Sequence, residues 1–168
     1  SKAVGAFPLA AGSHDAALIA QTSAGGYTLK ITSEAGTGGV GLAEVYETEP
    51  NGRTANLSTR AMVRSGEGVL IGGFVIQGAA YKRMIVRGIG PTLSAFGITG
   101  TLADPVVTVY SGQKIIASND DWSAQTNATQ VSDASLSVGA FTLPTGSKDA
   151  ALLVTLAPGA YTVEVAGK

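Results

Sequence analysis

The sequence contains no cysteine and only one histidine, His14, and both scarcities narrow its chemistry. Without cysteine the chain has no disulfides and no thiolate metal sites. No acid or second histidine stands at a spacing that would make a catalytic pair, and no Gly-x-Ser-x-Gly nucleophile elbow is present. We therefore predict that the chain is not an enzyme.

Charge and long apolar runs are also scarce. Charged residues make up 14% of the chain, well below the roughly 25% of ordinary globular proteins. Ser, Thr, Asn and Gly supply the polarity instead, which is typical of secreted β-rich proteins, so we expect an extracellular or cell-surface location. A net charge of -1 offers no basic footprint for nucleic acid. Runs such as residues 68–77 are too short to cross a bilayer, so we predict no membrane insertion.

What the sequence does contain is an internal repeat. Residues 4–20 read VGAFPLAAGSHDAALIA, and residues 138–154 read VGAFTLPTGSKDAALLV. The match holds without a gap at an offset of 134 residues and ends with Glu34 opposite Lys168. It has 15 identities in 34 aligned pairs, which is too many for chance. Residues 1–34 are called the first copy below, and residues 135–168 the second copy.

The repeat predicts how the chain is organised. Residues 35–48 have no second counterpart, and residues 49–134 have no first one. We predict that residues 1–48 are the C-terminal part of one 134-residue unit and that residues 49–168 are a β-sandwich unit, with a boundary in the EPNG segment at 49–52. Two interpretations remain open. The chain is an excerpt from a tandem array, or it is a subunit with a spare strand set that pairs with a neighbour.

Strand patterns dominate the expected secondary structure. Residues 27–32 alternate apolar and polar side chains at period two, and residues 161–165 keep that phase. The other strand candidates are residues 56–63, 69–76, 83–88, 106–110 and 114–117, and the only predicted helical turn is 91–96, which begins with Pro91. Short Gly, Asn, Asp and Ser clusters separate these segments. We predict an all-β fold, a β-sandwich with jelly-roll or immunoglobulin-like topology.

Three segments resemble a known bacterial domain type. They read DPVVTVY at 104–110, IIASNDDW at 115–122 and PGAYTVEV at 158–165. Together with the first copy, they are similar to pre-peptidase C-terminal domains and their relatives, which are repeated in very large exported proteins. The resemblance implies a jelly-roll-like, generally non-catalytic sandwich found beside secreted enzymes or in surface arrays. The segment RMIVRGIGPT at 83–92 departs from the simplest version of that pattern.

The loop from Asn119 to Trp122 is the main candidate for a ligand site. The consecutive side chains of Asn119, Asp120 and Asp121 carry oxygen ligands that suit Ca²⁺, the one candidate cofactor. The alternative, which we favour, is that these side chains cap the turn by accepting backbone N–H bonds. Trp122 is interpreted as a lid on the sandwich edge, and its alternative role is a platform for a sugar.

Three other features have simpler interpretations. Residues 36–41 spell the Gly-x-Gly-x-x-Gly pattern of dinucleotide sites, but no helix pattern follows, so a glycine-rich turn into a strand is predicted. Asp15 and Asp149 share one place in the repeat and are predicted to cap a turn or backbone. His14 is replaced by Lys148 in the second copy, so it is predicted to be a surface residue.

The repeat leads to a structural hypothesis for function. The chain is expected to be a non-catalytic module of an extracellular bacterial filament or surface repeat protein, assembling with itself or with neighbouring repeats through shared or exchanged β-strands. The expected interface strands are residues 4–9, 16–19, 40–46 and 138–143, with the interface side chains Val4, Phe7, Leu9, Leu18, Val40, Leu42, Val45, Val138, Phe141 and Leu143. The alternative is an adhesive or carbohydrate-binding sandwich attached to a secreted protein, with a glycan as partner and with Ca²⁺ and Trp122 at its site.

Overall fold

The structure is a computed structural model that describes residues 8–32, 36, 40–48, 54–64 and 68–168. It divides into an N-terminal unit, Ser1–Asn56, and a C-terminal unit, Leu57–Lys168. The division falls a few residues after the predicted EPNG boundary.

Every helix and strand found among the described residues lies in the C-terminal unit. In chain order they are β1 (Leu70–Ile76), β2 (Lys82–Gly88), a 3-10 helix (Pro91–Phe96), β3 (Pro105–Ser111), β4 (Lys114–Asn119), α1 (Ala128–Ser137), β5 (Ala150–Leu156) and β6 (Gly159–Gly167). One antiparallel sheet has the strand order β1-β6-β3-β4, and a second consists of β2 and β5. The all-β class is confirmed, and the jelly-roll or immunoglobulin-like topology stays a prediction.

The main core lies between the two sheets. Val107 and Val109 of β3 are fully buried there, together with Ala150 and Leu152 of β5 and Val165 of β6. Alternate residues of a strand point to the same face, which is why these positions are spaced by two along each strand. A smaller core on the other face of β5 contains Trp122, Val131 of α1 and Ala151.

Most of the strands predicted for the C-terminal unit are confirmed. The predictions at 69–76, 83–88, 106–110, 114–117 and 161–165 correspond to β1, β2, β3, β4 and β6, and the helical turn at 91–96 is the 3-10 helix. The structure adds β5 and α1, which the sequence patterns did not indicate. The helix buries only Val131 and Ser135, so its apolar stripe is too narrow to give a helical periodicity.

Other predicted strands are absent. Residues 16–19, 27–32, 40–46, 56–63 and 138–143 form no strand in the structure. The strand prediction is wrong for residues 27–32 and 56–63, whereas the prediction that the other three segments form strands at an interface with a neighbour stays a prediction. A strand needs a neighbour for its backbone N–H and C=O groups, and an alternating pattern does not supply one. Residues 4–7 and residues 37–39 of the glycine-rich turn lie outside the described residues.

Candidate functional site

The segment that ties the two sheets together belongs to the second copy of the repeat. Strand β5 pairs with β2 over its whole length, from Ala150 opposite Gly88 to Leu156 opposite Lys82. After a two-residue connection, β6 enters the other sheet between β1 and β3. Among the described strands, β1 has no neighbour except β6, and β2 has none except β5. Residues 150–167, called the closing segment below, therefore complete both sheets.

Residues 150–154 of β5 are buried or half-buried on both faces, which explains their continuous apolar sequence AALLV, and only Thr155 is exposed. Leu152 packs into the main core, whereas Ala151 and Leu153 pack into the smaller core beneath α1. Burial of a leucine side chain stabilises a fold by about 2 kcal/mol. In β6, Val165 packs into the main core, and the ring of Tyr161 stacks on Phe74 of β1 with centroids 5.5 Å apart.

Asp149 fixes the start of the closing segment. Its side chain is fully buried, and Oδ1 accepts hydrogen bonds from the backbone N–H groups of Gly90 (2.9 Å) and Thr92 (3.3 Å). Oδ2 accepts a hydrogen bond from the Thr92 hydroxyl. These donors lie at the N-terminus of the 3-10 helix, where backbone N–H groups lack partners within the helix. The prediction that this aspartate caps backbone groups is confirmed for Asp149.

Residues 70–134, called the framework below, are shaped to receive this carboxylate. A Cβ atom on Gly90 would overlap the carbonyl oxygen of Leu102, so only glycine allows the backbone N–H to approach Asp149. Pro91 supplies the first residue of the 3-10 helix and requires no N–H partner of its own. The sequence Gly90-Pro91-Thr92 after a strand was the available signal for a helix start that needs an acceptor. Sequence reasoning did not connect it with Asp149.

Trp122 lies in the smaller core rather than on the surface. It is 7% exposed and packs with Val131 and Ala151. Its backbone N–H donates to the carbonyl of Asp149 (3.0 Å), and its indole Nε1–H donates to the carbonyl of Pro144 (3.1 Å). Because only 7% of its surface is exposed, Trp122 has little area on which a sugar could stack, which favours the covering role over the platform.

Asn119 completes the free edge of β5. Its Oδ1 accepts a hydrogen bond from the backbone N–H of Ala151 (3.0 Å), and its Nδ2 donates to the carbonyl of Asp121 (3.3 Å). On the same edge, the side chain of Gln125 donates to the carbonyl of Ala151 (2.9 Å). Two amide side chains thus take the place of a neighbouring strand at this point.

The two carboxylates of the loop pair with lysines of the second copy. Asp121 accepts a hydrogen bond from Lys148 Nζ at 2.9 Å, and Asp120 forms an ion pair with Lys168. The hydrogen bond from Lys168 is the main reason why the pKa of Asp120 lies below its ordinary value. The same contacts raise the pKa values of Lys148 and Lys168. The calcium prediction for Asn119, Asp120 and Asp121 stays a prediction, and these side chains already have protein partners.

Phe141 of the second copy is held on the surface of the framework. The guanidinium of Arg87 lies 4.4 Å from the centre of its ring, and Arg87 Nη2 donates to its carbonyl (2.8 Å). The ring also packs against Phe96 with centroids 4.8 Å apart. Burial lowers the pKa of Arg87, and the nearby charge of Asp149 opposes that effect. Phe141 was predicted to face a neighbouring chain, but in this structure it contacts its own unit.

The first copy keeps the turns of the second copy although it forms no strands. Gly12 has φ 78° and its counterpart Gly146 has φ 80°. The N–H of Ser13 donates to the carbonyl of Ala10 at 3.1 Å, and the matching bond in the second copy, from Ser147 to Pro144, is 3.0 Å. These local hydrogen bonds need no partner from elsewhere in the fold.

The connection between the strands is also the same in both copies. The hydroxyl of Tyr27 donates to the carbonyl of Ser23 (2.8 Å), and that of Tyr161 donates to Ala157 (2.9 Å). The tyrosine in each copy lies over the glycine two residues before it. The first copy therefore has the local shape of a closing segment without its sheet neighbours.

The side chains that are buried in the second copy are exposed in the first. Leu18 is 75% exposed where Leu152 is 6% exposed, and Ile31 is 59% exposed where Val165 is 9% exposed. The other predicted interface residues that are exposed are Leu9, Val40, Leu42, Val45, Val138 and, in part, Phe141. Leu143 instead packs against the smaller core of its own unit, and Val4 and Phe7 lie outside the described residues. His14 is exposed, as predicted.

Comparisons with known protein families, with curated proteins and with solved structures found no match. The resemblance to pre-peptidase C-terminal domains therefore stays a prediction. Within the described ranges, no three His, Cys, Asp or Glu side chains come together at metal-binding spacing. Nor does any helix in that part of the chain have the length and apolarity needed to span a membrane.

Proposed function

We propose that the chain is a non-catalytic structural module of an extracellular bacterial filament or surface repeat protein, and that its units join through shared or exchanged β-strands. One observation carries the proposal. The same sequence occurs twice, completing both sheets in the second copy and presenting its apolar side chains to solvent in the first. An exposed segment that repeats the sequence of a core element can add to a sheet that lacks this element.

The polar residues that are identical in both copies of the repeat support a structural role. Asp149 is needed because three framework donors converge on it, and Asp15 occupies the same place in the first copy. A buried carboxylate is costly unless it is hydrogen-bonded, so this residue is useful only beside such donors. The first copy therefore has the sequence expected for closing a framework of this type.

The carbohydrate-binding alternative has less support. It relied on Trp122, which is buried, and on the Asn119 to Asp121 loop, whose side chains bond to β5 and to two lysines. A structural role uses these same residues to hold the closing segment in place. We therefore advance only the structural proposal.

The direct test is to place a framework ahead of the first copy. In an extended chain, residues 49–134 are added before Ser1, so that the first copy follows a framework at the same distance as the second copy does. The first copy of this extended chain also carries His14→Lys, Thr22→Leu and Glu34→Lys, which give it the residues that the second copy has opposite Asp121, at the end of β5 and opposite Asp120. We expect amide hydrogen exchange of residues 16–32 to slow by at least about a hundredfold relative to the original chain, because local opening then requires strand separation. Negative-stain images should show two globular units joined in a row.

Two substitutions in the extended chain provide a matched comparison. Leu18→Glu places a charge where the second copy buries Leu152, whereas Gln21→Glu places one where Thr155 is exposed. We expect the first to abolish the new protection and the second to leave it unchanged. If residues 16–32 exchange as fast in the extended chain as in the original chain, the proposal is wrong.

A further inference from the structure

We infer that the sandwich closed by the first copy has a framework of different sequence from residues 70–134 of this chain, so that the neighbouring unit is a divergent relative of this repeat rather than an identical copy. The inference rests on the proposed function, because it treats the first copy as a closing segment, and it identifies the partner of that segment.

The residues that accept hydrogen bonds from uncharged groups just before the closing segment are shared by both copies. Asp149, which bonds the 3-10 helix, corresponds to Asp15. Ser147, which accepts a hydrogen bond from the indole of Trp122, corresponds to Ser13. Both copies therefore fit the same general architecture.

The charged contacts that depend on framework side chains are not shared. Lys148 bonds to Asp121, and its counterpart in the first copy is the shorter side chain of His14. Lys168 pairs with Asp120, and its counterpart is Glu34. On this framework, Glu34 would meet a carboxylate of like charge, which destabilises a contact. The framework that suits the first copy has a neutral or basic residue at the position of Asp120.

The core side chains differ in a compensating way. At the end of β5, Leu156 is 3% exposed, and its counterpart is the smaller, polar Thr22. In β6, Val163 and Val165 correspond to the larger Leu29 and Ile31. Val165 already lies close to Gly88, because a Cβ atom added to Gly88 would be only 3.3 Å from Cγ1 of Val165. Cores tolerate substitution when total volume and shape are kept. The framework that the first copy closes therefore has more room beside the strand equivalent to β6 and less room beside the strand equivalent to β5.

Cysteine cross-linking tests which copy occupies this framework. Arg83 of β2 lies opposite Thr155 of β5, and Gln21 is the counterpart of Thr155. Directly opposed residues on antiparallel strands lie within disulfide range, and the chain has no cysteine of its own to compete. We expect Arg83→Cys with Thr155→Cys to cross-link within the full chain, and Arg83→Cys with Gln21→Cys to give at least tenfold less product at any concentration.

The matched variant exchanges the three discriminating residues between the copies. It carries His14→Lys, Thr22→Leu and Glu34→Lys together with Lys148→His, Leu156→Thr and Lys168→Glu. We expect the Gln21→Cys cross-link to rise at least tenfold in this chain. A second variant exchanges only His14 with Lys148 and Glu34 with Lys168, and it therefore keeps Leu156 in the core. We expect the Gln21→Cys cross-link to increase in this variant too, which allows the test if the fuller exchange does not fold.

The outcomes separate the two proposals. Efficient Gln21→Cys cross-linking without the exchange would show that an identical framework accepts the first copy, and the inference would be wrong. No gain in either exchanged chain would also overturn it. If residues 16–32 stay unprotected in the extended chain even with His14→Lys, Thr22→Leu and Glu34→Lys, the proposed function itself fails. If residues 16–32 of the extended chain are protected equally well with and without these three substitutions, only the inference is wrong.

Discussion

Residues 8–32 and residues 142–166 are two versions of one sequence in two environments. Both have the same turns and the same tyrosine hydrogen bond at the connection, because those features depend on residues close together in the chain. Only residues 150–167 have strands, because strands depend on neighbours far away in sequence. The comparison shows that the repeat sequence is sufficient for the local turns, whereas strands form only where the framework supplies neighbouring strands.

The comparison also shows which residues of the closing segment depend on the framework. Asp149 and Leu152 gain their roles from contacts with β2, β3 and the 3-10 helix. Asp15 and Leu18, which are identical to them in type, are exposed. Paired substitutions at equivalent positions therefore separate the effect of the environment from the effect of the residue type.

The largest difference is expected for the aspartates. Asp149→Ala leaves the N–H groups of Gly90 and Thr92 and the Thr92 hydroxyl without their acceptor, so we expect the free energy of unfolding to fall by about 4 kcal/mol. Asp15→Ala should change it by less than about 0.5 kcal/mol. Denaturant unfolding followed by tryptophan fluorescence measures both, since Trp122 reports on the C-terminal unit. Equal losses in the two variants would contradict the comparison.

A slightly smaller difference is expected for the leucines. Leu152→Ala opens a cavity in the main core and should lower the free energy of unfolding by about 3 kcal/mol. Leu18→Ala removes an exposed side chain and should leave this free energy within about 0.5 kcal/mol of the original. The same unfolding experiment applies. A loss of more than 1 kcal/mol in Leu18→Ala, on the order of a core effect, would mean that Leu18 is buried in solution.

Sequence patterns predicted the parts of the fold that repeat at short range. The alternation at residues 161–165, the strand-like segments bounded by Gly, Asn, Asp and Ser clusters, and the proline at the start of the 3-10 helix were sufficient to locate β6, β1, β2, β3 and that helix. The same alternation at residues 27–32 predicted a strand that is absent, because period two describes a face and does not identify a partner. β5 was missed for a related reason. It is buried on both faces, so its sequence has no alternation.

The candidate site was predictable only in part. The repeat pointed to Asp149 as a capping residue, and the structure supplied its partners Gly90 and Thr92, which lie more than fifty residues away in the chain. The Asn119 to Asp121 loop was recognised as rich in oxygen ligands. The amide of Asn119 bonds to the edge of β5, and the two carboxylates pair with lysines of the second copy. These contacts could not be predicted, because they depend on residues that only the fold brings together.

A moderate effect is expected for the tyrosines, and it tests the local part of the comparison. Tyr161→Phe removes the hydrogen bond to Ala157 and should lower the free energy of unfolding by about 1 kcal/mol. Tyr27→Phe removes the equivalent bond to Ser23 and should leave global unfolding unchanged, because that bond lies in the N-terminal unit. Amide exchange around residues 23–27 should nevertheless become faster in Tyr27→Phe. If it does not, the turn of the first copy is not held by this hydrogen bond.

The smallest effect is expected for the ion pair between Asp120 and Lys168, and its pH dependence has a definite sign. Lys168 lowers the pKa of Asp120, so the pair stabilises the fold above the ordinary aspartate pKa of about 3.9, and this contribution is lost as the pH falls through the lowered value. Asp120 raises the pKa of Lys168, so on the alkaline side the contribution is lost only when the pH rises past that raised value.

Both side chains of this ion pair are partly exposed, and exposed pairs contribute little. Asp120→Asn should therefore be slightly less stable than the original chain at pH 7 and equally stable below about pH 2, where both lack the charge. A difference that persists unchanged at low pH would show that Asp120 acts through hydrogen bonding rather than through its charge.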